Sequence, residues 1–193
     1  MSESISHLPG AAGKHGGGMP SGWVLRFADV LSVGSCVLDL ACGQGRHARW
    51  LADRGCQVTA VDRDPAALAA VASCPGVTTC ELDLESGAAW PWADAAFDAI
   101  VVTNYLHRPS FDHLGALLRP GGVLIYETFM LGNAIFGKPS NPDFLLMPGE
   151  LLERTRDGFT VIAFEQGEIT RPAPAMVQRI CARKGDTPGR LPG

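Results

Sequence analysis

The sequence lacks the features of several common classes of protein. Its six cysteines form no CxxC pair and show no zinc-type spacing with histidine, so we expect reduced thiols in the core and no metal site. Lysine and arginine form no basic cluster, and the net charge of -4 is mildly acidic, which disfavours a nucleic-acid partner. No apolar run approaches signal-peptide or membrane-spanning length, so we expect a cytoplasmic protein with no membrane partner.

The composition is that of one globular domain. The chain has 193 residues, of which 46% are hydrophobic and 19% charged, enough for a sheet covered by helices. Glycine and proline are concentrated at the two ends. We therefore expect a flexible N-terminal segment at 1–20, a folded domain at 21–184 and a flexible tail at 185–193. No feature of the sequence predicts the oligomeric state.

Strand and helix patterns alternate along the chain. Apolar residues recur at helical spacing after Ser21, which is placed to cap the first turn. Predicted strands lie at 35–41, 57–61, 77–82, 97–103 and 122–127, and predicted helices at 45–54, 65–72 and 111–118. This alternation predicts an α/β fold with a doubly wound, Rossmann-like and mostly parallel sheet and helices on both faces. After a helix at 149–155, strands at 159–165 and 175–182 have no helix between them and predict a C-terminal antiparallel hairpin at the sheet edge.

Glycine and acidic residues follow the first three predicted strands. The turn Asp39-Leu-Ala-Cys-Gly-Gln-Gly-Arg-His contains Gly43 and Gly45, which leave room for a ligand to approach the backbone at the start of a helix. Asp62 ends the second strand and Asp83 follows the third. Because ligands of open α/β sheets bind beyond the carboxyl ends of the strands, we expect these residues to line one site.

Two kinds of cofactor fit this turn. The residues from Gly43 to Ala48 also satisfy the dinucleotide fingerprint G-x-G-x-x-A, with Asp62 at the expected distance, so an NAD(P)-dependent Rossmann oxidoreductase is one alternative. Asp39, however, would suit an amino-acid ammonium and repel a pyrophosphate, and Asp83 would accept a hydrogen bond from an adenine amino group. These acids favour a nucleoside joined to an amino acid.

From residue 20 to residue 184 the sequence resembles the class I S-adenosylmethionine-dependent methyltransferases. Val-Leu-Asp-Leu-Ala-Cys-Gly-Gln-Gly at 37–45 is similar to the glycine motif of that family, and Val61-Asp62 is similar to its ribose-binding acid. Glu-Leu-Asp-Leu-Glu at 81–85 resembles its adenine-binding segment, while 92–101 and 118–125 resemble the regions of its fourth and fifth strands. Within the family, the C-terminal third is similar to the tellurite-resistance-type small-molecule methyltransferases.

The resemblance implies S-adenosylmethionine as the cofactor, bound through the motif residues. Asp62 would accept hydrogen bonds from both ribose hydroxyls, while Asp83 with the Leu84 amide would contact the adenine edge. The other implied contacts are Asp39 and the Asn104 carbonyl near the ammonium, Gly43 and Gly45 under the methionine and ribose, and the flanking residues Ala41 and Arg63.

Methyl transfer needs little acid or base chemistry, because the sulfonium is already an activated leaving group. His107 and Tyr105, after the fourth predicted strand, are the candidate base and orienting hydroxyl, although a histidine that only holds a loop is at least as common. We expect a small-molecule acceptor, because the sequence contains no separate domain to recognise a macromolecule. A catalytically silent methyltransferase fold that acts as a partner subunit is the alternative from a different class.

The connection at 129–147 is long and mixes turn-forming residues with large apolar ones. Long connections inside compact domains are often lids or binding loops, so we predict a lid over the methyl group. The alternative is a surface excursion that its own hydrophobic residues hold in place.

Overall fold

Seven strands form one sheet in the computed structural model, which describes residues 18–187. They are β1 (Cys36–Leu40), β2 (Gln57–Asp62), β3 (Val77–Glu81), β4 (Phe97–Thr103), β5 (Leu118–Phe129), β6 (Phe159–Ile169) and β7 (Ala175–Lys184). Their order across the sheet is β3-β2-β1-β4-β5-β7-β6. The first five strands are parallel, and β7 is antiparallel to both β5 and β6. The predicted doubly wound sheet with a C-terminal hairpin at its edge is confirmed.

Short helices cover both faces of this sheet. Within the described residues they are α1 (Gly22–Phe27), α2 (Arg46–Asp53), α3 (Pro65–Ala69), α4 (Phe111–Leu117) and α5 (Glu150–Arg154). Shorter 3-10 turns lie at Ala28–Val30, Arg108–Ser110, Asn133–Ile135 and Pro142–Phe144. The first three helices contribute to one apolar core, and α4 and α5 contribute to the core on the opposite face.

The central strands send side chains alternately into these two cores. In β4, Ala99 and Val101 belong to the core under α1, α2 and α3, whereas Ile100 and Val102 belong to the core under α4 and α5. All four side chains are fully buried. The strand is an unbroken apolar run because both of its faces are covered.

Element boundaries differ from the sequence prediction where the backbone ladder continues past the apolar pattern. The strand predicted to begin at residue 122 instead begins at Leu118, which pairs with Phe97 before a register shift. The hairpin is also longer than predicted, since β6 reaches Ile169 and β7 reaches Lys184. Pairing satisfies main-chain N–H and C=O groups whatever the side chains are, so the apolar pattern underestimates strand length.

The predicted flexible segments, 1–20 and 185–193, lie largely outside the described residues. Every strand and helix named above falls within the predicted domain at 21–184. Between residues 18 and 187, none of the helices has the length and apolar character that crossing a bilayer requires.

Gly45 allows the start of α2 to pack closely against Val71, which lies just after α3. It precedes α2 with a left-handed backbone (φ 68°), and a Cβ atom added to it would lie 2.4 Å from Cγ1 of Val71. Val71 is itself fully buried. Glycine is therefore required at this position by both the backbone conformation and the packing of the two helices.

We predict that Gly45→Ala is more destabilising than Gly87→Ala. Gly87 is also left-handed (φ 76°), but no heavy atom lies within 4 Å of a Cβ added there. The Gly87 variant should lose about 1 kcal/mol from backbone strain alone, whereas overpacking against Val71 should add about 1–3 kcal/mol to the loss at Gly45. Urea unfolding followed by circular dichroism measures both free energies, and equal losses would contradict this account.

Candidate functional site

The carboxyl ends of β1, β2, β3 and β4 lie at one edge of the sheet, because these strands are parallel neighbours. The predicted cofactor residues occupy this edge: Asp39 near the end of β1, Ala41, Gly43 and Gly45 after it, Asp62 and Arg63 at the end of β2, Asp83 and Leu84 after β3, and Asn104 after β4. The fold therefore brings the predicted set to one place, and the individual contacts decide what each residue does there.

Asp62 connects the glycine turn to the end of β2. Its side chain is buried, Oδ2 accepts the Gly43 N–H at 2.8 Å, and Oδ1 accepts the Asp64 N–H at 3.0 Å. We call this pair of hydrogen bonds the Asp62 bridge. Each oxygen of an ionised carboxylate has a second lone pair, so Asp62 can still accept hydrogen bonds from ligand hydroxyls.

The backbone around the glycine turn is left-handed at several positions. Ala41 has φ 52°, Gly43 has φ 53°, and Asn104 beyond β4 has φ 55°. In a residue with a side chain this conformation costs about 1–2 kcal/mol, and it persists where the surrounding structure imposes it. Both Ala41 and Asn104 therefore carry backbone strain at the edge where the predicted cofactor residues meet.

Asp39 lies beneath α2 and not in the open at the sheet edge. Its side chain is 1% exposed, and Oδ2 accepts the Ala48 N–H at 2.9 Å. Burial raises the pKa of Asp39 to about 7, although the Ala48 N–H and the nearby Arg46 guanidinium act in the opposite direction. Asp39 thus caps α2 from the neighbouring strand. Any effect of Asp39 on a cofactor ammonium would come from the charge of its carboxylate.

The loop after β3 presents one buried and one exposed residue. Leu84 packs into the core under α4, whereas Asp83 is exposed and its Oδ1 accepts the Glu85 N–H at 3.0 Å. This hydrogen bond orders the loop without a contact from a ligand. The predicted contact of Asp83 with adenine stays a prediction.

His47 joins the N-terminal helix to the sheet. It is buried, its Nε2 accepts the Ser21 N–H at 3.0 Å, and its Nδ1 lies 3.5 Å from Oγ1 of Thr103. Burial, aided by the charge of Arg46, lowers the pKa of His47 to about 3. The imidazole is therefore neutral and structural at physiological pH.

The predicted catalytic residues have local contacts of their own. The Nδ1 atom of His107 forms a hydrogen bond with Oγ of Ser110 in the turn before α4. Burial, with a further contribution from Glu85, raises the pKa of Tyr105, whose buried hydroxyl has no hydrogen-bond partner in the described part of the chain. His107 thus orders its own loop, as expected for the alternative of a histidine that only holds a loop. A catalytic role for His107 or Tyr105 stays a prediction.

Glu127, near the carboxyl end of β5, is the centre of a polar network. Its Oε1 accepts the Ser21 hydroxyl at 2.7 Å, and its Oε2 accepts Nη1 of Arg179 at 3.1 Å. Arg179 also donates to Glu165 at 2.6 Å and lies 4.9 Å above the ring of Trp23. The network fastens α1 to β5, β6 and β7. Its partners are too far apart in the sequence for spacing to reveal them.

The connection at 129–147 is anchored to the sheet and to the 3-10 turn before α4. Leu145 and Leu146 are fully buried, and the Leu146 N–H donates to the Phe129 carbonyl at 3.0 Å. Arg108 donates to two main-chain carbonyls of the connection at 2.8 Å each. These contacts match the alternative of a surface excursion held by its own hydrophobic residues. The predicted lid over the methyl group stays a prediction.

A concavity lies at the opposite, amino-terminal edge of the sheet. It has a volume of about 420 Å³ and is lined by residues 30–35, 98, 119–123 and 183. Ligands of open α/β sheets bind at the carboxyl edge, so we do not regard this cleft as the candidate site.

Comparison with known proteins finds similarity to methyltransferases over part of the chain. Residues 37–122 match a family model described as a methyltransferase domain. An uncharacterized methyltransferase of Mycobacterium tuberculosis is 38% identical over 110 residues, which cover 49% of this chain and 51% of the relative. The chain thus spans about half the length of the curated relatives that it matches.

Solved structures share the fold at low sequence identity. TehB from Haemophilus influenzae has a TM-score of 0.71 and 22% identity, covering 86% of this chain and 62% of that one. The 1,6-didemethyltoxoflavin-N1-methyltransferase of Burkholderia thailandensis, with S-adenosylhomocysteine bound, has a TM-score of 0.62 and 22% identity, covering 85% and 76%. The resemblance to methyltransferases is confirmed to this extent: residues 37–122 match a methyltransferase domain, and the chain shares the fold of these solved methyltransferase structures.

We predict that the substitution Asp39→Asn increasingly stabilises the folded protein, relative to the wild type, as the pH rises. Burial raises the pKa of Asp39 from 3.8 to about 7, so the folded protein holds a proton that the unfolded chain releases in this range. The contribution of Asp39 to the free energy of unfolding therefore falls as the pH rises through the window, by on the order of 4 kcal/mol. The lowered pKa of His47 acts in the opposite direction, and His47 is present in both the wild type and the variant. Asparagine does not titrate and retains an oxygen for the Ala48 N–H.

Urea unfolding at several pH values within this window measures the effect. The free energy of unfolding of Asp39→Asn relative to the wild type should increase with pH. A difference for Asp39→Asn that does not change with pH would contradict the assignment.

Proposed function

We propose that this chain is an S-adenosylmethionine-dependent methyltransferase that acts on a small-molecule acceptor. The observation that carries the proposal is the Asp62 bridge, which places a buried carboxylate beside the glycine turn at the carboxyl edge of the sheet. The methyltransferase-domain match of residues 37–122 includes this turn and Asp62. The proposal thus has three parts, which are the cofactor S-adenosylmethionine, the methyltransferase activity and the small-molecule acceptor.

The residues at this edge fit the three parts of the cofactor. The free lone pairs of Asp62 suit the ribose hydroxyls, and the loop with Asp83 and Leu84 offers a carboxylate and an apolar surface for adenine. The strained residues Ala41 and Asn104 border the place left for the methionine part. When bound, the cofactor supplies a methyl group on a sulfonium, and the protein has to orient the acceptor and exclude water.

The capping of α2 supports S-adenosylmethionine over a nicotinamide dinucleotide. A pyrophosphate in a dinucleotide fold binds to the free N–H groups at the start of this helix. Here the Ala48 N–H is already bonded to the carboxylate of Asp39 at 2.9 Å. A pyrophosphate would meet a negative charge and one occupied donor, whereas an amino-acid ammonium would be attracted to the same charge.

Two elements beside the carboxyl end of β5 support a small acceptor. The helix α1 is fastened to Glu127, and the anchored connection 129–147 begins where β5 ends. We infer that together they limit the size of an acceptor that can reach the methyl group. The neighbour from Burkholderia thailandensis is, by its name, a methyltransferase for the small molecule 1,6-didemethyltoxoflavin. Since a fold alone does not establish an activity, a silent partner subunit remains the competing proposal.

Calorimetric titration provides the first test of the cofactor. We expect the wild type to bind S-adenosylhomocysteine but not NADH, and Asp62→Ala to weaken that binding about 10- to 100-fold through lost hydrogen bonds to the ribose. The matched control is Asp64→Ala, which removes the side-chain cap of α3 two residues away. Saturable binding of NADH without S-adenosylhomocysteine would favour the oxidoreductase alternative.

Transfer of labelled methyl groups tests the acceptor class. We expect incubation with methyl-labelled S-adenosylmethionine and a panel of metabolites to give a labelled small molecule. At a cofactor concentration below saturation, Asp62→Ala should lower the amount of label because the cofactor is held more weakly. Labelling of RNA or protein alone would overturn the small-molecule proposal. Cofactor binding without turnover on any class of acceptor would favour the silent subunit.

A further inference from the structure

The cleft at the amino-terminal edge of the sheet is built from separate parts of the chain. Residues 30–35 before β1 and residues 119–123 at the start of β5 form its walls, together with Asp98 and Arg183. Its volume of about 420 Å³ falls within the range of roughly 300–1,000 Å³ that is usual for small-molecule sites. The proposed cofactor would bind at the opposite edge, so the proposed function makes no use of this cleft.

Arg183 is a half-buried cation of this cleft that has unused donors. It lies on β7 opposite Val123 of β5, and its Nη1 is 3.5 Å from the Gly121 carbonyl, the outer limit for a hydrogen bond. Its Nε is shielded from solvent and has no acceptor within residues 18–187. An N–H group that loses water and gains no acceptor is costly. The guanidinium of Arg183 therefore has hydrogen-bonding capacity that the described part of the chain does not satisfy.

The other two charges of the cleft neutralise each other. Arg119 donates from Nη1 to Oδ1 of Asp98 at 2.7 Å, and Oδ2 of Asp98 accepts the Cys36 N–H at 2.8 Å. Burial acts to raise the pKa of Asp98, but the Cys36 N–H and Arg119 together hold it below its usual value. Asp98 is thus ionised at physiological pH. Two arginines and one aspartate leave the described lining with one net positive charge, which is that of Arg183.

This arrangement favours a carboxylate as the ligand. The Nε–Nη2 edge of Arg183 is the edge that the Gly121 carbonyl leaves open, and the two oxygens of a carboxylate match such an edge. Rotation of the half-buried side chain about its own bonds would turn this edge into the cleft. A monoanion neutralises the single net charge, whereas a phosphate dianion would also be repelled by Asp98.

The wall opposite these charges is apolar. Val30, Leu31 and Val33 line it, and the side chain of Val33 is 84% exposed. Covering an exposed apolar side chain with a hydrocarbon group is favourable, because it removes apolar surface from water. The cleft therefore offers a cationic end and an apolar wall to one ligand.

We propose that this cleft binds a small organic monocarboxylate. The carboxylate lies on the guanidinium of Arg183, and the apolar part of the ligand lies on residues 30–33. This site is separate from the proposed cofactor site, and the proposal does not depend on the methyltransferase activity.

Titration with hexanoate, followed by nuclear magnetic resonance of the backbone amides, tests the proposal on the full chain. We expect saturable shifts at 30–35 and 121–123. Hexanamide has the same hydrocarbon chain without the charge and should cause no saturable shift there. Above about pH 7 hexyl phosphate is largely a dianion, and it should bind more weakly than hexanoate because Asp98 repels the second charge.

Substitutions of Arg183 test its role directly. Arg183→Gln should weaken hexanoate binding about 10-fold or more, as expected for hydrogen bonds to a charged group. Arg183→Lys retains the charge without the planar pair of donors, so its affinity should lie between those of Arg183→Gln and the wild type. The matched control is Arg156→Gln, which removes the same charge from an exposed residue that does not line the cleft and should leave the affinity unchanged.

Three results would overturn the inference: no saturable shift with hexanoate, equal binding of hexanamide, or equal affinity of Arg183→Gln and the wild type for hexanoate. Tighter binding of hexyl phosphate than of hexanoate would overturn the choice of a monocarboxylate. The amide spectrum of each variant shows whether it is folded. Should Arg183→Gln fail to fold, equal affinity of Arg183→Lys and the wild type would refute the guanidinium contact.

Discussion

The Asp62 bridge is the interaction on which the candidate site depends. A buried carboxylate at the end of β2 accepts one N–H from the turn after β1 and one from the start of the next loop. Two strands that are adjacent in the sheet thereby hold their loops at a fixed separation. Because a buried carboxylate needs such donors to remain in place, the same bonds that order the turn also keep Asp62 at the site. The side chain of Asp62 thus orders the glycine turn and also provides acceptors for the proposed cofactor.

Charges at the carboxyl edge have two separate tasks. Asp39, His47 and Glu127 are buried or nearly so, and their hydrogen bonds cap α2 and fasten α1 to the sheet. These three residues have the types expected of a catalytic centre, yet their contacts are structural. The groups left for a ligand are the second lone pairs of Asp62 and the exposed Asp83. The role of a titratable residue at this edge is therefore inferred from its hydrogen-bond partners and not from its residue type.

Sequence analysis predicted the features that depend on local pattern. Ser21 was predicted to cap the first helix, and its hydroxyl accepts the Trp23 N–H at 3.0 Å. The alternating strands, the glycine turn and the edge hairpin were predicted for the same reason, since period, turn chemistry and loop length are local. The contact of Ser21 with His47 and the clash that forbids a Cβ at Gly45 join residues from different elements. Such contacts depend on the tertiary packing, and no spacing in a single sequence reveals them.

Hydrogen–deuterium exchange in the presence of S-adenosylhomocysteine tests the central claim most directly. Binding at the Asp62 bridge predicts slower amide exchange in peptides that cover 41–48, 62–64, 82–85 and 104–107, which belong to the loops after the first four strands. Exchange at 30–35 and 119–123, which line the cleft at the opposite edge, should be unchanged. Protection confined to that opposite edge, or no protection at a saturating ligand concentration, would contradict the account.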